Sequence, residues 1–126
     1  MSAPRAIESL SAVTIVVADM AASVRFYDAM GFVAVYGGAD AAFTSYRAGS
    51  GFLNLQLAAD PPAPGAWGRA IFYVSDVDAQ HAAAIAAGYP PSTVPVDAPW
   101  GERYFHISDP DGHEISFARP FGDQEG

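Results

Sequence analysis

Three histidines, fourteen carboxylates and six arginines are the reactive side chains of this sequence, and it holds no cysteine. The missing thiols exclude a cysteine nucleophile, an iron–sulfur cluster, a Cys-ligated zinc site and a disulfide scaffold. Among the histidines, His106 has the neighbours best suited to chemistry. It lies in Arg103–Ser108, a run that reads as a strand. Phe105 and Ile107 belong to the packed face, so Tyr104 and His106 belong to the opposite one. Asp109-Pro-Asp-Gly-His113 supplies a turn, with proline setting one φ and glycine accepting a positive one. A turn of that length pairs Ser108 with Glu114 and sets His106 opposite Ser116. An imidazole so placed can bond a ligand, act as a general base, or start a metal site with Glu114. The plainer alternative is a half-exposed histidine on a wet sheet face. His113 and Glu114 are adjacent and point to opposite faces, so they cannot chelate together. His113 reads as a solvated turn residue, and His81 as a surface residue of a helix.

Aromatic side chains are the second feature. Strand parity puts Phe43, Tyr73 and Tyr104 on the same open side as Thr14, Val16, Ser45, Asn54 and Gln56. Trp100 sits in the loop Pro99-Trp100-Gly101, and Trp67 precedes the second half of the chain. Aromatic walls with a few polar groups suit a planar organic ligand; for Phe43 and Tyr73, packing is the alternative. Gly37-Gly38 lacks the strand–turn–helix context of a phosphate loop, and no serine nucleophile elbow occurs.

The elements that must position these groups come in two matching sets. Ala12–Ala18 is a β-branched strand, Asp19 a helix cap, and Met20–Met30 a helix with Met20, Val24, Tyr27 and Met30 on one face. Gly31 stops it and Phe32 opens the next strand. Arg69–Ser75, Asp76, Val77–Ala87, Gly88 and Tyr89 repeat this order, with Val77, Ala84 and Ile85 on one helix face. Asp19 to Asp76 and Gly31 to Gly88 are equal offsets, the mark of an internal repeat. Hairpins follow, Ala42–Ala48 with Phe52–Ala58 around Gly49-Ser50-Gly51, and Arg103–Ser108 with Glu114–Ala118. Leu53, Leu55 and Leu57 alternate, as do Ile115 and Phe117, so one face of each sheet packs and the other meets something polar. The expectation is an α+β fold: two βαβββ modules forming a cupped, incompletely closed mixed sheet with helices on its outer face. All 126 residues form one domain, with module one at about 11–58, a proline-rich linker at about 59–67, module two at about 68–119 and a polar tail at 120–126.

Composition narrows the partners. A formal charge of −8 and arginines scattered at positions 5, 25, 47, 69, 103 and 119 give no cationic stripe for nucleic acid. The negative charge serves solubility or attracts cationic ligands. No apolar run approaches the roughly 18 residues that span a bilayer. Met1–Leu10 has no apolar stretch of the kind a signal peptide carries, so a cytoplasmic location is expected.

The layout resembles the vicinal oxygen chelate superfamily, which includes glyoxalase I, extradiol dioxygenases, and fosfomycin- and bleomycin-resistance proteins. The stretches that carry the resemblance are Val13-Thr-Ile-Val-Val-Ala-Asp-Met20, Phe26-Tyr27 with Met30-Gly-Phe32, Phe72-Tyr-Val-Ser-Asp76, and Trp100 through Phe117. The resemblance implies paired modules around a ligand cavity, frequently in a homodimer. It also implies one divalent metal in many members, held at positions that read Ala12, Gln56, Arg69 and Ser116 here. Alanine offers no donor, arginine is a permanent cation, serine is a weak ligand, and one Gln56 amide holds no ion. In pattern the chain is nearest to metal-free resistance proteins of the bleomycin and mitomycin type. Arg69 then either grips an anionic or carbonyl-bearing ligand or pairs with Glu114.

The leading expectation is a binder of a small, partly aromatic molecule that uses no cofactor and sequesters a drug or metabolite. Phe43, Tyr73, Trp100 and Tyr104 would stack on the ligand, while Gln56, Arg69, His106 and Ser116 orient it. The alternative is a glyoxalase- or dioxygenase-like lyase, isomerase or oxygenase, with a displaced divalent metal or with His106 as acid–base catalyst. A ligandless dimeric scaffold is a third reading.

Overall fold

A computed structural model of the chain describes residues 7–60 and 67–121. Most of the expected linker and tail therefore lies outside the described residues. The first module runs β1 (Ala12–Val17), α1 (Met20–Ala29), β2 (Val33–Tyr36), β3 (Phe43–Ala48) and β4 (Gly51–Leu57). The second runs β5 (Arg69–Tyr73), α2 (Val77–Ala86), β6 (Val96–Asp97), β7 (Glu102–Ser108) and β8 (Glu114–Pro120). Both helices start at the expected aspartates. Asp19 accepts from the Ala22 N–H at 3.1 Å and Asp76 from the Ala79 N–H at 3.0 Å. Both stop in the same way. Gly31 and Gly88 take φ of +98° and +92°, where a side chain would be strained. The Gly31 and Phe32 N–H groups then bond the Asp28 and Tyr27 carbonyls, and Gly88 and Tyr89 repeat this on Ile85 and Ala84. These are matched Schellman stops.

Each module folds into one four-stranded sheet, in the orders β1-β4-β3-β2 and β5-β8-β7-β6. The first strand of each module lies parallel to its last, and the remaining neighbours are antiparallel. The second strand of module two is only two residues long. Pro90, Pro91 and Pro95 occupy its approach and cannot donate to a ladder. The result is an α+β fold of two modules with no closed barrel.

One core serves both modules. Ile15, Val17, Phe26, Tyr27, Tyr46, Leu53 and Leu55 join Phe105, Ile107, Ile115 and Phe117 in a single buried cluster. Phe32 ties the halves together, edge-on to Tyr27 in its own module and to Phe72 in the other. Two members of the expected helix and strand faces lie outside this core. Ile85 is 55% exposed on α2, where Ala84 alone reaches inward beside Val77, and Leu57 is exposed at the end of β4.

The turn between β7 and β8 locks the modules. Asp109 is buried; its Oδ2 accepts from the Tyr27 hydroxyl at 2.7 Å, and its Oδ1 accepts from the N–H groups of Asp111 and His113. Asp111 caps the other module's helix approach, accepting from the Ala18 N–H at 2.9 Å and the Ser23 hydroxyl at 3.2 Å. His113 is 6% exposed rather than solvated. Its Nδ1 accepts from the Trp67 indole N–H, a group that can only donate. Its proton therefore sits on Nε2 and bonds the Val16 carbonyl at 2.8 Å. His81 is on α2 as expected and partly exposed, with its ring edge-on to Phe105. Among the described residues, no helix is long and apolar enough to cross a membrane.

Tyr27→Phe leaves one oxygen of the buried Asp109 carboxylate without its donor. Urea unfolding is expected to show a loss of about 1–3 kcal/mol at unchanged m-value. Gly31→Ala is expected to cost about 1–2 kcal/mol through the left-handed backbone alone.

Candidate functional site

Alternation along three neighbouring strands builds the site. With Phe105, Ile107, Ile115 and Phe117 in the core, the opposite face of the second sheet carries Glu102, Tyr104 and His106 from β7. It also carries Glu114, Ser116 and Ala118 from β8, and Arg69, Ile71 and Tyr73 from β5. The ladders align Ile71, Ser116 and His106 in one row and Tyr73, Ala118 and Tyr104 in the next. Ser108 pairs with Glu114 and His106 with Ser116, as the turn length requires.

His106 Nδ1 lies 2.7 Å from Ser116 Oγ and 3.7 Å from Glu114 Oε2. Glu114 is itself held by Arg69 at 3.3 Å. Arg69 therefore takes the second of its two readings, pairing with Glu114. Burial holds the imidazole below the ordinary histidine range; the Arg69 cation adds to this and Glu114 opposes it. The ring is neutral at pH 7, and its Nε2 makes no hydrogen bond to the described residues. Ser116 is 2% exposed, so its hydroxyl meets His106 rather than the open space above the sheet.

The aromatic groups form a second cluster on the same face. Trp100 stacks on Tyr104 with ring centres 5.8 Å apart and planes at 25°, and Tyr104 tilts against His106 at 5.0 Å. The Tyr73 hydroxyl donates to Glu102 Oε2, which raises the phenol's pKa, and the Trp100 indole donates to Glu102 Oε1 at 3.1 Å. β8 separates the strands of Tyr73 and Glu102, so the Tyr73 side chain spans it; Ala118 beneath is 1% exposed. Glu102 was missing from the sequence-derived site. The same alternation that marks Tyr104 and His106 points to it, one step beyond the strand boundary expected at Arg103.

Phe43 and Gln56 lie apart from this group. They face each other across β3 and β4 on the open face of the first sheet. Asn54 Nδ2 donates to Thr14 Oγ1 there, and the Arg47 guanidinium sits 5.3 Å from the Phe52 ring centre. Among the described residues, no hydrogen bond, ion pair or ring contact joins Phe43 or Gln56 to the His106 or Glu102 clusters. The modules do meet along a groove of about 680 Å³. Arg47, Gly49 and Ser50 line it from the first module and Ile71, Tyr73 and Glu102 from the second, together with Phe32, Phe72 and Phe117.

Residues 9–117 match the model of the Glyoxalase/Bleomycin resistance protein/Dioxygenase superfamily. The chain belongs to this superfamily. Among solved structures, the glyoxalase-related enzyme from Fulvimarina pelagi is similar with a TM-score of 0.72 at 22% identity, over 89% of this chain and 88% of that one. A bleomycin-binding protein complexed with bleomycin gives 0.70 at 18%, over 90% and 98%. The bleomycin resistance determinant encoded on the transposon Tn5 gives 0.73 at 16%, over 90% and 99%. At these identities the likeness is one of fold. No curated protein matches the chain closely enough to compare.

The superfamily's implied metal positions can be tested against the ladders. Ala12 pairs with Phe52, and Arg69 with Glu114. Two residues further on, the partner of Ser116 in the repeat is Asn54, which corrects the assignment to Gln56. Strand pairing, and not a count along the chain, sets this correspondence. The corrected set, Ala12, Asn54, Arg69 and Ser116, holds one amide already bonded to Thr14, one hydroxyl bonded to His106 and one fixed cation. These donors do not fit a divalent ion. Among the described residues, no three His, Asp or Glu side chains gather to replace them.

Acid protonates His106 against the cost of its burial. Its folded pKa lies below the unfolded value of about 6.5, so its contribution to stability is present above that pH and is lost as pH falls through the folded value. NMR titration is expected to give a His106 midpoint below that of a free histidine. His106→Gln is expected to flatten the fall in urea stability between about pH 7 and pH 5.

Proposed function

We propose that this superfamily member binds a small, partly aromatic organic molecule against the open face of its second sheet, without a metal, and sequesters it. The observation that carries the reading is the run of rings Trp100, Tyr104 and His106 beside Tyr73. Trp100 is 68% and Tyr73 63% exposed, with their polar tips already tethered to Glu102. Pre-positioned rings lose little freedom when a planar ligand stacks on them. Arg69 flanks this area, and His106, backed by Ser116, offers its free nitrogen for orientation, while Phe43 and Gln56 stand apart on the first sheet. The donor set argues for metal independence. A structural neighbour that binds bleomycin makes a drug or toxic metabolite a concrete class of ligand. Sequestration protects by lowering free ligand, so affinity decides its success.

The reading includes a cytoplasmic homodimer. Val33, Val35 and Tyr36 on the edge strand β2, with Ile71 on the open face, leave apolar surface exposed that a second copy can cover. A second reading, metal-free acid–base chemistry at His106, draws on the neutral ring and its unbonded Nε2.

A thermal-shift screen of planar antibiotics and aromatic metabolites, with chelator and again with divalent ions, tests the proposal. Organic ligands are expected to raise Tm without ions, and Trp100→Ala is expected to weaken binding by about 0.5–1.5 kcal/mol. A shift that requires ions, or conversion of the ligand that disappears in His106→Gln, overturns sequestration. Sedimentation of the purified chain is expected to show a dimer.

A further inference from the structure

Glu102 has no role in the reading so far beyond tethering two rings. Each of its oxygens accepts one hydrogen bond, Oε2 from the Tyr73 hydroxyl and Oε1 from the Trp100 indole. An ionised carboxylate offers about four acceptor positions, so about two remain without a hydrogen bond from the described residues. The remaining charges on this open face cancel, because Arg69 and Glu114 form an ion pair. Arg103, the next residue, belongs to the opposite face and is held by Asp78 and Asp97 at 2.9 Å each. Across the groove, Arg47 is held over the Phe52 ring and forms no ion pair with Glu102. Among the described residues, Glu102 is thus the uncompensated charge of the platform.

Its setting strengthens the preference for a cation. Tyr73 and Trp100 expose ring faces beside the carboxylate, and such faces attract cations. Tyr73 and Glu102 also line the groove of about 680 Å³, which gives a drug-sized molecule room. The formal charge of −8 draws cations toward the whole surface.

We infer that Glu102 makes this site selective for planar molecules that carry a protonated amine or amidinium next to the ring. The ring lies on Trp100 and Tyr73 while the cationic N–H groups take the two open acceptor positions of Glu102. This rests on the binding function proposed above and adds the chemical class of the ligand.

A matched pair of probes tests it, 2-naphthamidinium and the neutral isostere 2-naphthamide, titrated calorimetrically into the full chain at low and at physiological salt. The amidinium is expected to bind about tenfold tighter, the size of one charge-assisted hydrogen bond, with the margin narrowing as salt rises. Glu102→Gln is expected to bring the amidinium to the level of the amide in the same variant. Glu102→Asp, which keeps the charge, restores part of the margin and separates loss of charge from loss of fold. Equal binding of the two probes to the unmodified chain, or a margin that survives Glu102→Gln, overturns the cation preference and leaves the binding function standing. Failure of both probes to bind overturns both.

Discussion

Two aspartates in a single turn decide how the halves of this chain meet. Asp109 and Asp111 leave their own module and satisfy a buried phenol, a hydroxyl and a backbone N–H on the other. Burial raises the pKa of Asp109, and the Tyr27 and backbone hydrogen bonds pull against that rise. A carboxylate so enclosed is tolerable only with its donors in place. The contact therefore fixes one docking geometry for the modules, and with it the shared core.

The repeat is not used symmetrically. Where Val16 receives His113 in the first module, Tyr73 occupies the corresponding place in the second. The turn facing Tyr73 is only Gly49–Ser50, with no side chain long enough to plug the junction. One junction is filled with polar groups from a five-residue turn; the other stays open as a groove. Since both helices occupy the core side of their sheets, the polar faces stay open. The duplication thus yields one filled junction and one open groove from the same plan.

What could be read in the sequence was local or periodic. Caps at Asp19 and Asp76 and stops at Gly31 and Gly88 depend on residues within one helix turn. The pairing of His106 with Ser116 follows from turn length and strand parity. Most misreadings involve partners distant in the chain or the ends of elements, and Ile85, on the exposed side of its own helix, is the local exception. His113 looks solvated until Trp67 and Val16 surround it. Asp109 and Asp111 look like turn chemistry because Tyr27 and Ala18 lie far away in sequence. Asn54 was passed over for Gln56 because the correspondence depends on strand pairing across the sheet. Glu102 fell just outside an estimated strand end, where boundaries are least determined by pattern.

The two indoles of this protein stand in different places. Trp67 touches His113 at the junction between modules, and Trp100 lies on the open platform against Glu102 and Tyr104. Their fluorescence is therefore a pair of built-in reporters, one for the junction and one for the surroundings of the platform. A chain retaining a single indole gives an optical signal from one of these regions without interference from the other.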